Sequence, residues 1–223
     1  VSAEEEKKVP DFEDLYIDIG AKDRADAERV TALGDLVAFE SDAVEFGSGM
    51  LKAKALDDRV GCAVMLKLIE EELPMDCTFV FSQEEVGTRG AFGAAFSVVP
   101  EIALVLEGTT AADLPGTDEH RRVAILGKGP VLSFMDNGTI YDRALFEQLR
   151  ELAEEHGIPW QTKNYLSGGN DSSAIQRTKE GVRVAAVSTP VRYLHAPSSV
   201  VCCQDFNYVH TLVKHFIEAL AAS

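Results

Sequence analysis

Basic residues are scarce in this chain of 223: 21 Lys and Arg stand against 37 Asp and Glu, a formal charge of −16. No basic cluster interrupts that acidity, so electrostatics excludes nucleic acid and anionic membrane surfaces as partners. No apolar run nears the roughly 20 residues needed to span a bilayer, and no signal-peptide pattern opens the chain. Cysteine is sparse as well. Cys62, Cys77, Cys202 and Cys203 form no Cys-x-x-Cys pair, and neighbours such as Cys202 and Cys203 rarely bridge, which suits a reducing, cytoplasmic setting. Aromatics make up only 8%, yet hydrophobic residues reach 46%, enough for one sizeable globular domain, or one domain with a fragment of another. The sequence contains no internal repeat and no low-complexity segment.

The opening is polar. Val1 stands where a Met would begin a gene product, and the charge run at 4–8 reads as a solvated face; the expectation is a chain continuing from a longer product. Residues 1–50 read as a small β-rich unit, with strands at 15–19 and 36–39 around a helix at 23–30. From Leu51 the composition shifts. Val60, Val64 and Leu68 share one helical face among mostly apolar neighbours, which predicts a helix buried on most sides. Strands are expected at 77–82, 102–106, 123–127, 160–165 and 182–187, and helices at 88–97, 142–156, 171–179 and 203–221. That alternation predicts an α/β fold over 51–223, a mainly parallel mixed sheet sandwiched by helices.

Carboxylates recur where these apolar runs end. Phe79-Val80-Phe81 runs into Glu84-Glu85 and a glycine turn, Asp57-Asp58 precedes the first long helix, Glu107 closes Ala103–Leu106, and His195 follows Arg192-Tyr193-Leu194. Open α/β sheets place their ligands at such strand ends. Each feature alone has a plainer reading: an acidic pair as a solvated turn, Glu107 as a helix cap, His195 as a structural imidazole. Together they are an expensive concentration of charge beside apolar strands. Several carboxylates and one imidazole converging from separate loops suit a pair of divalent ions such as zinc, cobalt or manganese.

Four segments carry a resemblance: Lys54-Ala55-Leu56-Asp57-Asp58-Arg59-Val60-Gly61, Gln83-Glu84-Glu85-Val86-Gly87-Thr88-Arg89-Gly90-Ala91, Glu107 through Gly116, and Arg192-Tyr193-Leu194-His195-Ala196-Pro197. In order and spacing they resemble the motifs of the M42 family of metallo-aminopeptidases, which includes glutamyl and leucyl aminopeptidases and members labelled endoglucanases. The resemblance implies that Asp57 bridges two metal ions, with a cis bond to Asp58. It implies that Glu85 and His195 bind one ion, Glu107 the other, and that Glu84 is the general base. It further implies short peptides as substrates and a homo-oligomer, a dodecamer in the family. Residues 1–50 would be the end of an inserted β-rich contact domain, and 51–223 a catalytic domain without its N-terminal segment.

The family's fifth ligand, a histidine in a His-x-Asp motif, has no counterpart here: His120, His156, His210 and His215 all lack that context. Ala196-Pro197-Ser198-Ser199 also departs from the Ser-Pro-x-Glu that often comes after the histidine ligand. The turn Ser167-Gly168-Gly169-Asn170-Asp171 resembles the family's glycine-rich turn and equally suits a plain helix cap. Two alternatives stay open: a metal-dependent deacylase or glycoside hydrolase on the same scaffold, and a catalytically incomplete subunit or fragment.

Overall fold

A computed structural model describes residues 9–83 and 87–222. The chain separates into two units, Val1–Ala38 and Phe39–Ser223. In the first, a 3-10 turn at Phe12–Asp14 precedes a single short helix, α1 (Arg24–Ala27). Asp23 caps that helix by accepting the Asp26 amide at 2.9 Å. Its large apolar side chains, from Val9 and Phe12 to Leu36 and Val37, face outward.

The second unit runs β1 (Val44–Phe46), β2 (Met50–Ala53), α2 (Leu56–Ile69), α3 (Arg89–Val98), β3 (Ile102–Thr110), β4 (Val131–Leu132), α4 (Arg143–Glu155), α5 (Ser172–Ile175), β5 (Arg183–Arg192), β6 (Ser199–Cys202) and α6 (Cys203–Ala221). The strands form one mixed sheet in the order β1-β2-β6-β5-β3, with β4 also on β5. Its longest pairing is parallel, β3 on β5, in register from Ile102↔Arg183 to Thr110↔Val191. The shorter pairings are antiparallel.

Strand alternation decides which helices cover which face. Ala185 and Val187 of β5, with Leu104 and Leu106 of β3, join Val64 and Leu68 of α2, Leu145 and Leu149 of α4, and Leu212 and Phe216 of α6. Val184 and Ala186, with Ala103 and Val105, turn to the opposite face and meet Tyr141 and Ile175. Both faces of the β3–β5 pair are therefore apolar, and its strands read as near-continuous Val, Ala and Leu runs. A helix-flanked α/β sheet is thus present, as the alternation predicts. Among the described residues no helix is long and apolar enough to cross a membrane.

Several expected elements are corrected. The segments 15–19, 36–39, 77–82 and 123–127 form no strand, and 160–165 keeps only a bridge from Gln161 to Val131. Their apolar alternation is real, but a strand needs a ladder partner, and pairing is set by distant chain rather than by local pattern. Conversely, β3 and β5 continue beyond the apolar runs at 102–106 and 182–187, because the ladder tolerates Gly108, Thr109 and Thr189. Glu107 consequently lies within β3 rather than at its end. Helices expected at 171–179 and 23–30 contract to four residues each. On α2, Val60, Val64 and Leu68 are buried as predicted, but Leu66 and Ile69 are about half exposed, so one face and not most sides is covered.

Phe216 is fully buried in the main cluster. Phe216→Ala is expected to cost about 3–5 kcal/mol, while Phe92→Ala, at an exposed site on α3, stays within about 0.5 kcal/mol. Urea unfolding of both variants measures the difference.

Candidate metal centre

The centre forms where α2 begins against the middle of β3. Ala55, at φ +52°, turns the chain into the helix, and Asp57 and Asp58 keep non-helical backbone angles inside the first turn, joined by a cis peptide bond. This places both carboxylates beside Glu107. Ligand oxygens of Asp57, Asp58 and Glu107 lie within 4.8 Å of one another. Asp58 also accepts the Gly61 amide at 3.0 Å, closing the turn.

Two glycines make the approach possible. A Cβ on Gly61 would sit 2.4 Å from an Asp58 oxygen and 2.7 Å from the Leu106 carbonyl. One on Gly108 would lie 3.0 Å from Asp57 Oδ1 and 3.2 Å from a Val191 methyl. Helix start and strand thus come together at a separation that side chains at these positions would resist.

His195 arrives from the turn joining β5 to β6. Its Nε2 lies 3.1 Å from Asp57 Oδ2, and while the Asp57 side chain is 8% exposed, that of His195 is 77% exposed. Burial pushes the Asp57 carboxyl up from its ordinary value, opposed by the nearby His195 and by Glu107. Both residues line a cavity of about 170 Å³ with Phe39, Lys54, Ala55 and Pro197. A larger cavity of about 650 Å³ is lined by Ile125, Lys128, Ile158 and Trp160 and by none of the clustered acids; the donor chemistry, not the volume, marks the site.

The structure therefore brings together Asp57, Glu107 and His195 from the sequence-predicted set, and adds Asp58, which the ligand assignment omits. The signal for Asp58 is its adjacency to Asp57, readable as a pair but not divisible into roles. Glu84 and Glu85 lie outside the described residues. Three carboxylates and an imidazole, with Asp57 and Glu107 largely withdrawn from water, form a donor set that fits a hard or borderline divalent cation.

Two neighbouring charges complete the electrostatics. Lys163 donates to the Ser167 carbonyl at 3.2 Å, and burial lowers its pKa, partly offset by Asp136 and Glu107. Asp113, six residues after Glu107, receives Arg192. Burial favours its neutral form, but the Arg192 guanidinium and the Leu126 amide hold its pKa below the usual value.

Known proteins share this arrangement of segments. A protein of Acetivibrio thermocellus is 38% identical over 96% of this chain, which spans 66% of that relative's length. An aminopeptidase structure from the archaeon Desulfurococcus kamchatkensis superposes with a TM-score of 0.92 at 36% identity, covering 98% of this chain and 63% of its own. The TET1 peptidase of Pyrococcus horikoshii superposes at 0.80 with 31% identity, covering 99% of this chain and 64% of its own. The model of the M42 glutamyl aminopeptidases matches residues 1–212. A match over nearly the entire sequence, spanning the segments that hold Asp57, Glu107 and His195, makes this chain a member of the M42 family.

Proposed function

We propose that the chain is the catalytic part of a metal-dependent aminopeptidase that removes the N-terminal residue from short peptides. The observation that carries this reading is the convergence of Asp57, Asp58 and Glu107, with His195 on Asp57, beside a small cavity. Acid facing acid at such range is costly without a cation between them, and the D. kamchatkensis structure is that of an aminopeptidase.

Asp57 would bridge two ions, zinc or cobalt or manganese by donor type. Glu107 would hold one ion, and His195 with Glu85 the other. When bound, the ions supply Lewis acidity for the scissile carbonyl and make water a nucleophile near neutral pH. Glu84 takes the proton of the attacking water and returns it to the leaving amine. Successive residues of extended chain point their side chains apart, so adjacent glutamates can serve proton and metal separately. The free α-amino group of the peptide, a cation, is drawn to the acidic cluster, which favours chain ends over internal bonds.

Residues 1–50 are proposed as part of an inserted subunit-contact domain, and 51–223 as the catalytic domain. Outward-facing apolar side chains throughout 9–38 support that assignment for the first unit, whereas β1 pairs with the sheet of the second. A homo-oligomer is proposed by analogy with the P. horikoshii TET1 peptidase, which can assemble into a tetrahedron or a large octahedral shell. The four cysteines are free, in keeping with a reducing cytoplasm.

Three outcomes test the proposal. Chelation abolishes hydrolysis of a panel of aminoacyl anilides, and zinc or cobalt restores it; activity that survives complete metal removal overturns the metal-dependent reading. Glu84→Gln retains its metal content by elemental analysis but loses about 10²–10⁴-fold in kcat, whereas normal turnover in this variant removes Glu84 as the base. Asp57→Asn loses metal and activity together, and full metal occupancy in that protein contradicts the bridging assignment.

A further inference from the structure

We propose that Asp113 and Arg192 are positioning residues for the metal centre, forming a fork that fixes the turn from which His195 reaches Asp57. The inference rests on the metal-centre reading above and extends it to two residues with no place in the ligand set.

The geometry begins with Arg192, the last residue of β5, three positions before His195. Its Nε donates to Asp113 Oδ1 at 2.6 Å and its Nη2 to Asp113 Oδ2 at 2.9 Å. Asp113 Oδ2 also accepts the Leu126 amide at 3.0 Å. The carboxylate is 4% exposed, and it joins three separate segments: the loop after β3, the segment around Leu126, and the end of β5. A two-pronged Arg–carboxylate pair fixes orientation as well as distance, which a point charge does not.

Arg192 is paired through its backbone with Val200 of β6, and the fork adds a side-chain anchor at the start of the turn beyond it. Tyr193 and His195 both adopt left-handed backbone angles, φ +58° and +61°, a conformation that L residues keep where the surroundings hold them. Leu194 packs against Leu56, Val191 and Val201. The Tyr193 carbonyl accepts the Ala196 amide at 3.1 Å and the Ser199 hydroxyl at 3.2 Å. These contacts shape the turn internally, whereas the Asp113 fork ties the residue at its start to the loop leaving the strand that carries Glu107. Through that strand, His195 and Glu107 share one frame.

Strand β5 supplies a control. At its other end Arg183 donates to Asp142 at 2.8 and 3.3 Å, the same pair chemistry far along β5 from His195. Metal-free chains of the wild type, Arg192→Ala, Arg192→Lys, Asp113→Ala, the double Asp113→Ala/Arg192→Ala and Arg183→Ala are titrated with Zn²⁺ and Co²⁺. The visible spectrum of bound Co²⁺ and urea unfolding of the metal-free forms are recorded alongside. Arg192→Ala and Asp113→Ala each weaken ion affinity about 10–100-fold and alter the Co²⁺ spectrum. The double variant loses less than the product of the single losses, because both remove one interaction. Arg192→Lys recovers only part of the affinity, and Arg183→Ala binds ions like the wild type whatever its stability.

Unchanged affinity and spectrum in Arg192→Ala, with normal uptake by the wild type, overturn the fork and leave the metal centre standing. Full recovery in Arg192→Lys overturns it too, since charge alone then suffices. Absence of ion uptake by the wild type overturns the metal centre itself, and this inference with it. Should the alanine variants fail to fold, Arg192→Lys and Asp113→Asn carry the same comparison.

Discussion

The parallel ladder between β3 and β5 is the constraint on which the rest depends. It is apolar on both faces, so helices must cover it twice. It is also the frame of the site. Glu107 sits within it opposite Ser188, Gly108 beside it admits the Asp57 carboxylate, and its last pair, Thr110↔Val191, immediately precedes Arg192. A carboxylate inside such a strand pays a desolvation penalty that a strand-end carboxylate would largely escape. The acidic part of the centre is thus set against the core, while His195 meets it from an exposed turn.

Other buried acids clarify what is unusual about this one. Asp136 accepts the Gly138 and Thr139 amides and the Tyr141 hydroxyl. Asp205 accepts the Gly127 and Gly129 amides at 2.7 and 2.8 Å, and Asp113 accepts a guanidinium and an amide. Each of these carboxylates is met by donors, as burial demands. Asp57, Asp58 and Glu107 have partners too, His195 at Asp57 and the Gly61 amide at Asp58, but only here do three carboxylates among the described residues bring ligand oxygens within 4.8 Å of one another. In a chain with an excess of acids throughout, that difference in company separates a site from structural negative charge.

Much of this was legible in residue order, and the limits are physical. α6 matches its expected span of 203–221 because a long amphipathic period is a local signal. The segments at 15–19 and 77–82 carry equally clear strand composition but no ladder, since pairing depends on partners far along the chain. Asp57, Glu107 and His195 could be named from their positions beside apolar runs. Their mutual distances could not, because proximity between α2, β3 and the β5–β6 turn is a product of topology. The part played by Arg192 was hidden for the same reason: in sequence it is one more basic residue before His195, and only the fold brings Asp113 to it.

The close approach of α2 to β3 has a consequence for how such a chain can diverge. Gly61 and Gly108 offer no side chain to a ligand, yet a methyl group at either would press on Asp58, Leu106, Asp57 or Val191. Substitution there would push the helix start from the strand and displace Asp57, Asp58 and Glu107 while each of those residues is kept. Mutational tolerance around this centre is therefore governed by volume before it is governed by chemistry, and the least replaceable positions include two with no side chain at all.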